Sequence, residues 1–404
     1  MIWKFQKIYY RSFQTIFKYT AGKIKYSNQQ VMTGSDCINN LYKILINNSI
    51  NNIFIVTTKS ILQLDIFNAM LETFKNNSIN YTIFKDFTPN PTVKDVDDGY
   101  NLFIKKQCTG IIAIGGGSAL DCAKIIGIKY TNKNKSCKKL KNIANITHPL
   151  PFFVAIPTTA GSGSESTITA VISDHENNTK FAITHPFLRP KYIVLDAKLT
   201  IGLPKKMTST TGMDALTHAL EAYLGNNNTK YTDNLALKAC KLIFENLETA
   251  YYDGSNLEAR TNMLIASNHA ANAFTIALVG YVHSISHAIS ALYDVPHGLA
   301  NAIILPYVLD YYGESIYKKL ANVARYCNIG DKSESDKKLS QSIILKIRDM
   351  NRNMDIPDKI PEIQKKDIPI IVSKALKEAN PLYPVPKLMN KKDCFAVVEK
   401  IILK

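Results

Sequence analysis

The sequence predicts an α/β domain with a mostly parallel sheet, followed by an all-helical domain. From residue 36 to about 200, short apolar runs alternate with amphipathic stretches, the pattern of parallel strands joined by crossover helices. After Leu203 the strand patterns disappear and long helical periodicities follow. We therefore predict two domains, residues 1–203 and residues 204–404, and we treat residues 1–25 as a basic extension of the first.

Composition and charge argue against several classes of protein. No apolar run approaches the ~20 residues of a membrane-spanning helix, so we expect no membrane partner. The formal net charge is +16, but the lysines are dispersed and Arg-rich arms are absent, so a nucleic-acid-binding protein is only a distant alternative. Seven cysteines at scattered spacings, without a C-x-x-C pair, predict free thiols in a reducing compartment.

The N-terminal segment is basic and amphipathic. Residues 1–35 contain no Asp or Glu but several Lys and one Arg. This pattern resembles a mitochondrial transit peptide, whereas the scarcity of Arg favours a native segment of a Lys-rich protein. We expect a cytoplasmic protein, with a mitochondrial location as the alternative.

The elements of the first domain follow in order along the chain. Runs rich in β-branched and aromatic residues predict strands, and amphipathic stretches between them predict helices. Strands are predicted within residues 51–60, 79–84, 152–166, 168–173, 180–184 and 192–196, helices within 61–75 and 88–107, and a strand–glycine–helix segment at 110–130. Residues 131–149 are polar and lack periodicity, which predicts a surface loop.

Two loops that follow predicted strands have the composition of a phosphate-binding site. Gly115, Gly116 and Gly117 join a strand to a helix, where glycines let the backbone approach a phosphate and the helix N-terminus supplies N–H groups. The second loop, within residues 152–166, combines Gly with Ser and Thr, whose hydroxyls suit phosphate or ribose recognition. We predict a dinucleotide site here, with tight turns as the alternative explanation.

The second domain contains five of the chain's eight histidines in one span. Asp214 and His218 are spaced i, i+4, as are His283 and His287, so each pair lies on one face of a helix. His297 follows ten residues later. One carboxylate and several imidazoles suit Fe(II) or Zn(II) better than Ca(II) or Mg(II). We therefore predict a metal site, although the spacing does not choose between His283 and His287; structural histidines are the alternative.

Several motifs together carry a resemblance to a known family. They are GGGSALDCAK, IPTTAGSGSE, LDAKLTIGLP, GMDALTHALEAY, HSISH and PHGLANAIILP. In this order and spacing they resemble the iron-containing (group III) alcohol dehydrogenase family over nearly the whole chain. The resemblance implies a Rossmann-like dinucleotide-binding domain, an all-α C-terminal domain and the dehydroquinate synthase-like architecture. It also implies NAD(P)-linked interconversion of a small primary alcohol, diol or hydroxy acid and its aldehyde or ketone, commonly by a homodimer.

The resemblance also implies roles for individual residues. The metal ligands would be Asp214, His218, His283 and His297, and the cofactor contacts Gly116, Gly117, Ser118, Asp121, Thr158, Thr159, Ser162 and Lys180. His287 matches a position beside the nicotinamide and the substrate, where we expect it to relay the alcohol proton. Phe274 matches the substrate pocket, whereas His269 matches no motif and is interpreted as structural.

One position departs from the family pattern. Thr58, at the end of the first predicted strand, stands where many NAD-preferring members have an Asp that repels a 2′-phosphate. NAD and NADP are therefore both candidates, as Fe(II) and Zn(II) are for the metal. A dehydroquinate synthase-like or glycerol dehydrogenase-like enzyme acting on a polyol or sugar phosphate is the alternative function, although we identify no basic cluster for a phosphate.

Overall fold

A computed structural model describes residues 2–21, 28–133, 135–174 and 179–403 of the chain. Its internal contacts divide the chain into two compact units. The α/β unit comprises the described residues within 25–202 and 255–264, and the helical unit comprises those within 1–24, 203–254 and 265–404. The predicted class, an α/β part and an all-α part, is confirmed.

The described chain begins with a helix, α1 (Ile2–Ala21), and continues into the α/β unit. The strands are β1 (Gln30–Thr33), β2 (Asn52–Thr57), β3 (Asn80–Phe84), β4 (Gly110–Gly115), β5 (Phe152–Pro157), β6 (Thr169–Asp174), β7 (Thr179–Thr184) and β8 (Tyr192–Leu195). The helices are α2 (Leu41–Asn47), α3 (Asp65–Asn76), α4 (Val93–Lys105), α5 (Gly117–Thr131) and α6 (Cys137–Leu140). Six strands form a parallel sheet in the order β1, β8, β5, β4, β2, β3, and β6 pairs with β7 as the predicted antiparallel hairpin.

The central strands of the sheet are continuous apolar runs because both faces of the sheet are covered. Every residue of β4 is buried, and successive residues of β2 enter two different buried clusters: Phe54 and Val56 enter one, Ile53 and Ile55 the other. Strands β2, β4 and β5 are parallel neighbours. Their carboxyl ends therefore meet at one edge of the sheet, where the residues that follow each strand lie close together.

The helical unit contains α1 and most of the second half of the chain. Its further helices are α7 (Lys205–Leu224), α8 (Lys230–Tyr252), α9 (Leu257–Ala277), α10 (Tyr281–Tyr293), α11 (His297–Tyr312), α12 (Tyr317–Cys327), α13 (Asp336–Asn353), α14 (Ile368–Ala379) and α15 (Lys391–Lys400). Residues 257–264 of α9 belong to the α/β unit, and the rest of that helix to the helical unit. Helix α7 is buried over most of its length. Its Gly212 allows close packing with α8, because a Cβ at that position would lie 2.3 Å from Cδ1 of Leu247. Helix α9 ends at Ala277, and Gly280 is the residue that immediately precedes α10.

The structure differs from the prediction at the N-terminus, which we placed in the α/β domain. Helix α1 belongs to the helical unit. Arg11 donates hydrogen bonds to the carbonyls of Val385 and Pro386 at 2.7 and 3.0 Å, and Gln14 donates to the carbonyl of Tyr383 at 2.7 Å. The sequence pattern identified an amphipathic segment but not the surface on which it packs.

Two further local differences concern segments without strong periodicity. Strand β1 was not predicted, because its four residues alternate poorly between apolar and polar. The predicted loop at 131–149 contains α6, whose Cys137 and Leu140 are buried. A short segment needs only two apolar anchors to pack, which is too little signal for a sequence-based assignment.

No single described helix is both long and apolar enough to cross a bilayer. Helices α9 and α10, which are bent by 100° at their break, pass that test only when they are taken together, and then only by length and composition.

Candidate metal centre and nucleotide-binding loops

Donor atoms of three predicted ligands converge in the helical unit. The Nε2 atoms of His283 and His297 lie 4.0 and 3.6 Å from Oδ1 of Asp214. One donor atom from each of the three residues lies within 4.8 Å of the other two. Asp214 and His283 are buried, and His297 is partly buried. A carboxylate and imidazoles at this separation are a donor set for a first-row ion such as iron, so the residues present fit the predicted metal.

Three helices bring these ligands together. Asp214 lies on α7, His283 lies in the first turn of α10, and His297 is the first residue of α11. Gly298 permits the close approach, because a Cβ there would lie 2.6 Å from the carbonyl oxygen of Thr210 and 3.4 Å from Cβ of Asp214. The glycine of the Pro-His-Gly motif therefore lets α11 begin directly against α7.

Glu221, on α7, fixes the orientation of His283. Its Oε2 accepts hydrogen bonds from Nδ1 of His283 at 2.6 Å and from the N–H of Gly280 at 2.8 Å, and its Oε1 accepts one from the N–H of Val282 at 2.8 Å. Burial raises the pKa of Glu221 to about 7, while these hydrogen bonds favour the carboxylate. Because Nδ1 holds the proton in this network, Nε2 presents its lone pair to the cluster.

The imidazoles of the cluster are neutral at neutral pH. Burial lowers the pKa of His283 well below its ordinary value, and the neighbouring histidines lower it further. Burial also lowers the pKa of His297 to about 4, although Asp214 acts in the opposite direction. The hydroxyl of Ser286 lies 3.1 Å from Nδ1 of His297. A neutral imidazole is the form that binds a metal, so the rings need no deprotonation.

His218 lies beside the cluster, one turn after Asp214 on α7. Its ring stacks on the ring of His283, with centroids 4.5 Å apart, and on the ring of Phe274 at 4.1 Å. The converging donor atoms found among the described residues are those of Asp214, His283 and His297. A role for His218 as the fourth ligand therefore stays a prediction, as does a role for Phe274 in the substrate pocket.

His287 borders the cluster without supplying a donor atom to it. Its ring centroid lies 4.9 Å from that of His297 and 5.9 Å from that of His283. Nδ1 of His287 lies 2.7 Å from Oε1 of Glu378, which also accepts a hydrogen bond from the hydroxyl of Tyr383 at 2.8 Å. Burial lowers the pKa of His287, but the hydrogen bond to Glu378 and the charge of that carboxylate raise it overall. The side chain is 44% exposed.

Three residues that surround these rings, Glu221, Asn301 and Glu378, were not predicted from the sequence. Glu221 lies three residues after His218, and Asn301 lies four residues after His297, so helical spacing could have identified both. Glu378 lies on α14, 91 residues from His287. No local pattern connects residues that far apart, and only the fold brings them together.

The two predicted nucleotide loops meet at the carboxyl edge of the sheet. Gly115 ends β4 with φ 158°, a conformation that favours glycine, and its carbonyl accepts the N–H of Thr158, directly after β5, at 3.0 Å. A Cβ at Gly117 would lie 3.1 Å from the hydroxyl oxygen of Ser162. Helix α5 begins at Gly117, so N–H groups of its first turn lie at this edge.

Two predicted cofactor residues are engaged within the α/β unit. The hydroxyl of Ser118 donates a hydrogen bond to the carbonyl of Pro89. The carboxylate of Asp121 accepts hydrogen bonds from the hydroxyl of Ser164 at 2.6 Å and from the N–H of Val171 at 2.9 Å. Asp121 therefore links α5 to the second loop and to the hairpin.

The remaining predicted cofactor residues lie close to the same edge or outside it. Thr58 follows β2, and its hydroxyl oxygen lies 3.0 Å from that of Ser60. A Cβ at Gly116 would lie 3.6 Å from Thr159. The backbone of Lys180 lies in β7, whereas its side chain falls outside the part of the chain that the structure describes. No contact among the described residues tests these cofactor assignments.

Comparison with known proteins identifies the family. The model of the iron-containing alcohol dehydrogenases matches residues 28–197, and the C-terminal model of the Fe-containing alcohol dehydrogenase family matches residues 208–402. The chain is 37% identical over 329 residues to a 1,3-propanediol dehydrogenase from Klebsiella pneumoniae, across 81% of this chain and 84% of that protein. The chain belongs to the iron-containing alcohol dehydrogenase family.

Further relatives of this iron-containing alcohol dehydrogenase agree with the assignment. An NADPH-dependent butanol dehydrogenase from Clostridium saccharobutylicum is 34% identical over 295 residues, across 72% of this chain and 75% of that protein. The crystal structure of a 1,3-propanediol oxidoreductase superposes with a TM-score of 0.89 and 33% identity, across 93% of this chain and 99% of that one. The protein is an alcohol oxidoreductase, with iron and a nicotinamide nucleotide as cofactors. The predicted family, activity and cofactors are confirmed.

Proposed function

We propose that the enzyme interconverts a short primary alcohol or diol and its aldehyde, with the iron held by Asp214, His218, His283 and His297. The observation that carries this proposal is the convergence of one donor atom from each of Asp214, His283 and His297 within 4.8 Å. The stacked ring of His218 and the neutral state of the other two rings support it. The relatives that act on 1,3-propanediol and on butanol support the substrate class.

The protein's own side chains orient the reactants and move the proton. When bound, iron supplies a Lewis acid for the substrate oxygen, and the nicotinamide exchanges the hydride. His287 holds a proton on Nδ1 against Glu378, so its Nε2 is the atom that takes up the alcohol proton. The exposed part of the His287 side chain gives that proton a route to water. Phe274 places an apolar ring against His218, which suits a short alkyl chain.

We propose that the nucleotide binds at the carboxyl edge of β2, β4 and β5 and that both NAD and NADP are accepted. The glycine turn, the start of α5 and the adjoining hydroxyl-rich loop support the binding site. Thr58 supports acceptance of both nucleotides because it supplies no carboxylate to repel a 2′-phosphate. A relative that uses NADPH is consistent with this.

Metal analysis of anaerobically purified protein, combined with NAD(P)H absorbance during addition of 1,3-propanediol, butanol and their aldehydes, tests the proposal. We expect about one iron per chain and turnover that a chelator abolishes, with Asp214→Ala lacking both iron and activity. An Asp214→Ala variant that retains iron would contradict the ligand assignment. Turnover of neither alcohol would contradict the substrate class.

We propose in addition that the enzyme is a cytoplasmic homodimer. The family resemblance supports the dimer, and seven cysteines without a disulfide support a reducing compartment. Light scattering after size-exclusion chromatography measures the oligomeric state. Fractionation of the source cells, with mitochondria as the alternative location, tests the compartment.

A further inference from the structure

Asn301 lies inside the proposed iron site, although the ligand pattern of the family does not include it. It is fully buried on α11, one turn after His297. Its Nδ2 lies 2.7 Å from Oδ1 of Asp214, 3.0 Å from Nε2 of His297 and 3.3 Å from Nε2 of His283. One amide group therefore contacts the donor atoms of all three converging ligands.

The two ends of this amide are paired unequally. Three acceptor atoms surround Nδ2, whereas Oδ1 is buried without a hydrogen-bond partner among the described residues. A half turn about the Cβ–Cγ bond exchanges the nitrogen and the oxygen, which have nearly the same size, so both orientations fit the same space. In the second orientation Oδ1 faces the cluster.

The charge at the centre of the cluster decides between the two orientations. Without a cation, the N–H groups of Asn301 face lone pairs and a carboxylate, which favours the first orientation. With a divalent ion, those lone pairs are engaged and N–H groups would point toward a positive charge. An oxygen facing the same centre is then favourable, because amide oxygens bind divalent cations.

We propose that Asn301 turns its side-chain amide when iron binds and contributes Oδ1 to the metal site as an additional oxygen donor. This inference rests on the proposed iron site. Helix α11 would then supply two ligands to the metal, His297 and Asn301, rather than His297 alone.

Asn301→Asp and Asn301→Leu distinguish an oxygen donor from an N–H donor. Aspartate keeps a side-chain oxygen at the same distance from the backbone but, when ionised, has no proton to donate. Leucine fills a similar volume and has neither an oxygen acceptor nor an N–H donor. Anaerobic competition with a chromogenic chelator measures iron affinity. We expect the Asp variant to bind iron at least as tightly as the wild type, and the Leu variant about 10–100-fold more weakly. An Asp variant as weak as the Leu variant would overturn the proposal, because an N–H bond to Asp214 would then be the function of Asn301.

The metal-free protein gives an independent readout. Without iron, Asn301→Asp places a second carboxylate beside Asp214, so its unfolding temperature should fall below that of the wild type and iron should restore it. An equal response to iron in both proteins would count against the proposal. Asn351→Leu is the matched control: Asn351 is also buried, also has an Oδ1 without a partner among the described residues, and donates to the carbonyl of Ala302 on α11 rather than to a proposed ligand.

The control and the wild type separate the ways in which the proposal can fail. Asn351→Leu should keep the iron affinity of the wild type. Equal losses of iron in Asn351→Leu and Asn301→Leu would overturn the proposal, since the packing of α11 would then control binding. A wild-type protein that binds no iron would instead overturn the proposed function itself.

Discussion

Glu221 and Glu378 each lie within hydrogen-bond distance of Nδ1 of a histidine, but only Glu221 serves a proposed ligand. Glu221→Gln replaces the carboxylate that orients His283 with an amide, whose NH2 group faces N–H donors. We expect iron affinity to fall about 10–100-fold, as measured by chelator competition. Glu378→Gln, which alters the partner of His287, is the control and should keep the wild-type affinity. Equal losses in the two variants would show that Glu221 does not act through His283.

His287 is the residue whose loss should affect turnover without affecting metal content. His287→Ala removes the proposed proton carrier, so we expect kcat to fall by about 100-fold or more while iron content stays constant. Steady-state kinetics and metal analysis of the same preparation measure the two quantities. His269→Ala, at a histidine interpreted as structural, is the control for activity. Loss of iron in His287→Ala would make His287 a ligand.

Thr58 should govern the choice of nucleotide. Thr58→Asp introduces a carboxylate directly after β2, where it would repel a 2′-phosphate and accept hydrogen bonds from ribose hydroxyls. We expect the ratio of kcat/KM for NADPH to that for NADH to fall by about tenfold, equivalent to roughly 1.4 kcal/mol. Thr58→Ser is the matched control. An unchanged ratio in Thr58→Asp would place the ribose elsewhere.

At the scale of single residues, most of the candidate site could be predicted from the sequence, but Glu221 and Glu378, which contact the histidines, were not predicted. The i, i+4 spacing brought Asp214 and His218 to one face of α7, and the structure adds His283 and His297 to that face. The spacing of the histidines does not choose between His283 and His287 as the ligand. That assignment came from the resemblance to the family. Glu378 escaped notice because its partner is distant in sequence and an exposed-looking carboxylate on a helix carries no distinguishing pattern.

At the scale of elements, α1 is attached to the helical unit mainly through side chains that donate to backbone carbonyls. Arg11 bonds to two carbonyls and Gln14 to two more, contributed by residues 381–386. Replacing both residues with Ala removes the donors to the carbonyls of Pro381 and Pro386. The carbonyls of Tyr383 and Val385 keep a second donor, the N–H of Val385 and the side-chain amide of Asn226. We expect the free energy of unfolding to fall by about 1–3 kcal/mol, measured by urea denaturation. Lys4→Ala, on an exposed position of the same helix, is the control. No change in the double variant would mean that α1 is not docked in solution.

Element prediction succeeded where periodicity was sustained. Strands β2 to β5 are apolar runs that the predicted strand segments overlap, and α7 to α11 lie where long helices were predicted after Leu203. The failures were β1, α6 and the docking of α1. Strand β1 pairs with β8, and α1 packs on residues 381–386, so both depend on contacts far along the chain that local spacing does not contain. Helix α6 has only four residues, too few for a periodic pattern.

For the whole molecule, the buried cysteines should make stability sensitive to alkaline pH. Burial raises the pKa of Cys137 to about 11 and those of Cys37 and Cys327 to about 12, from an ordinary value of 9.0. A raised thiol pKa favours the folded state below pH 9, and that stability is lost as pH rises from 9 toward 11 or 12. Each such thiol changes the free energy of unfolding by about 1.4 kcal/mol per pH unit within that window.

Urea unfolding under reducing conditions at pH 8 and pH 10 measures this effect. Lys124 acts in the opposite direction, because burial lowers its pKa to about 8, but it is one group against several thiols. Cys327→Ala removes one of these thiols. The decrease in the free energy of unfolding with pH should therefore become smaller by at most about 1.4 kcal/mol per pH unit. The same pH dependence in Cys327→Ala and the wild type would show that the Cys327 thiol ionises as readily in the folded protein as in the unfolded chain.

The proposed ligands lie on three helices, α7, α10 and α11, and are separated by up to 83 positions in the sequence, from Asp214 to His297. An ion held by all three acts as a reversible cross-link, and its binding free energy adds to the stability of the folded state. Iron would then stabilise the folded protein in addition to its role in catalysis. In a cell short of iron, the first consequence would be a lower abundance of the protein, as chains without the cross-link unfold and are degraded.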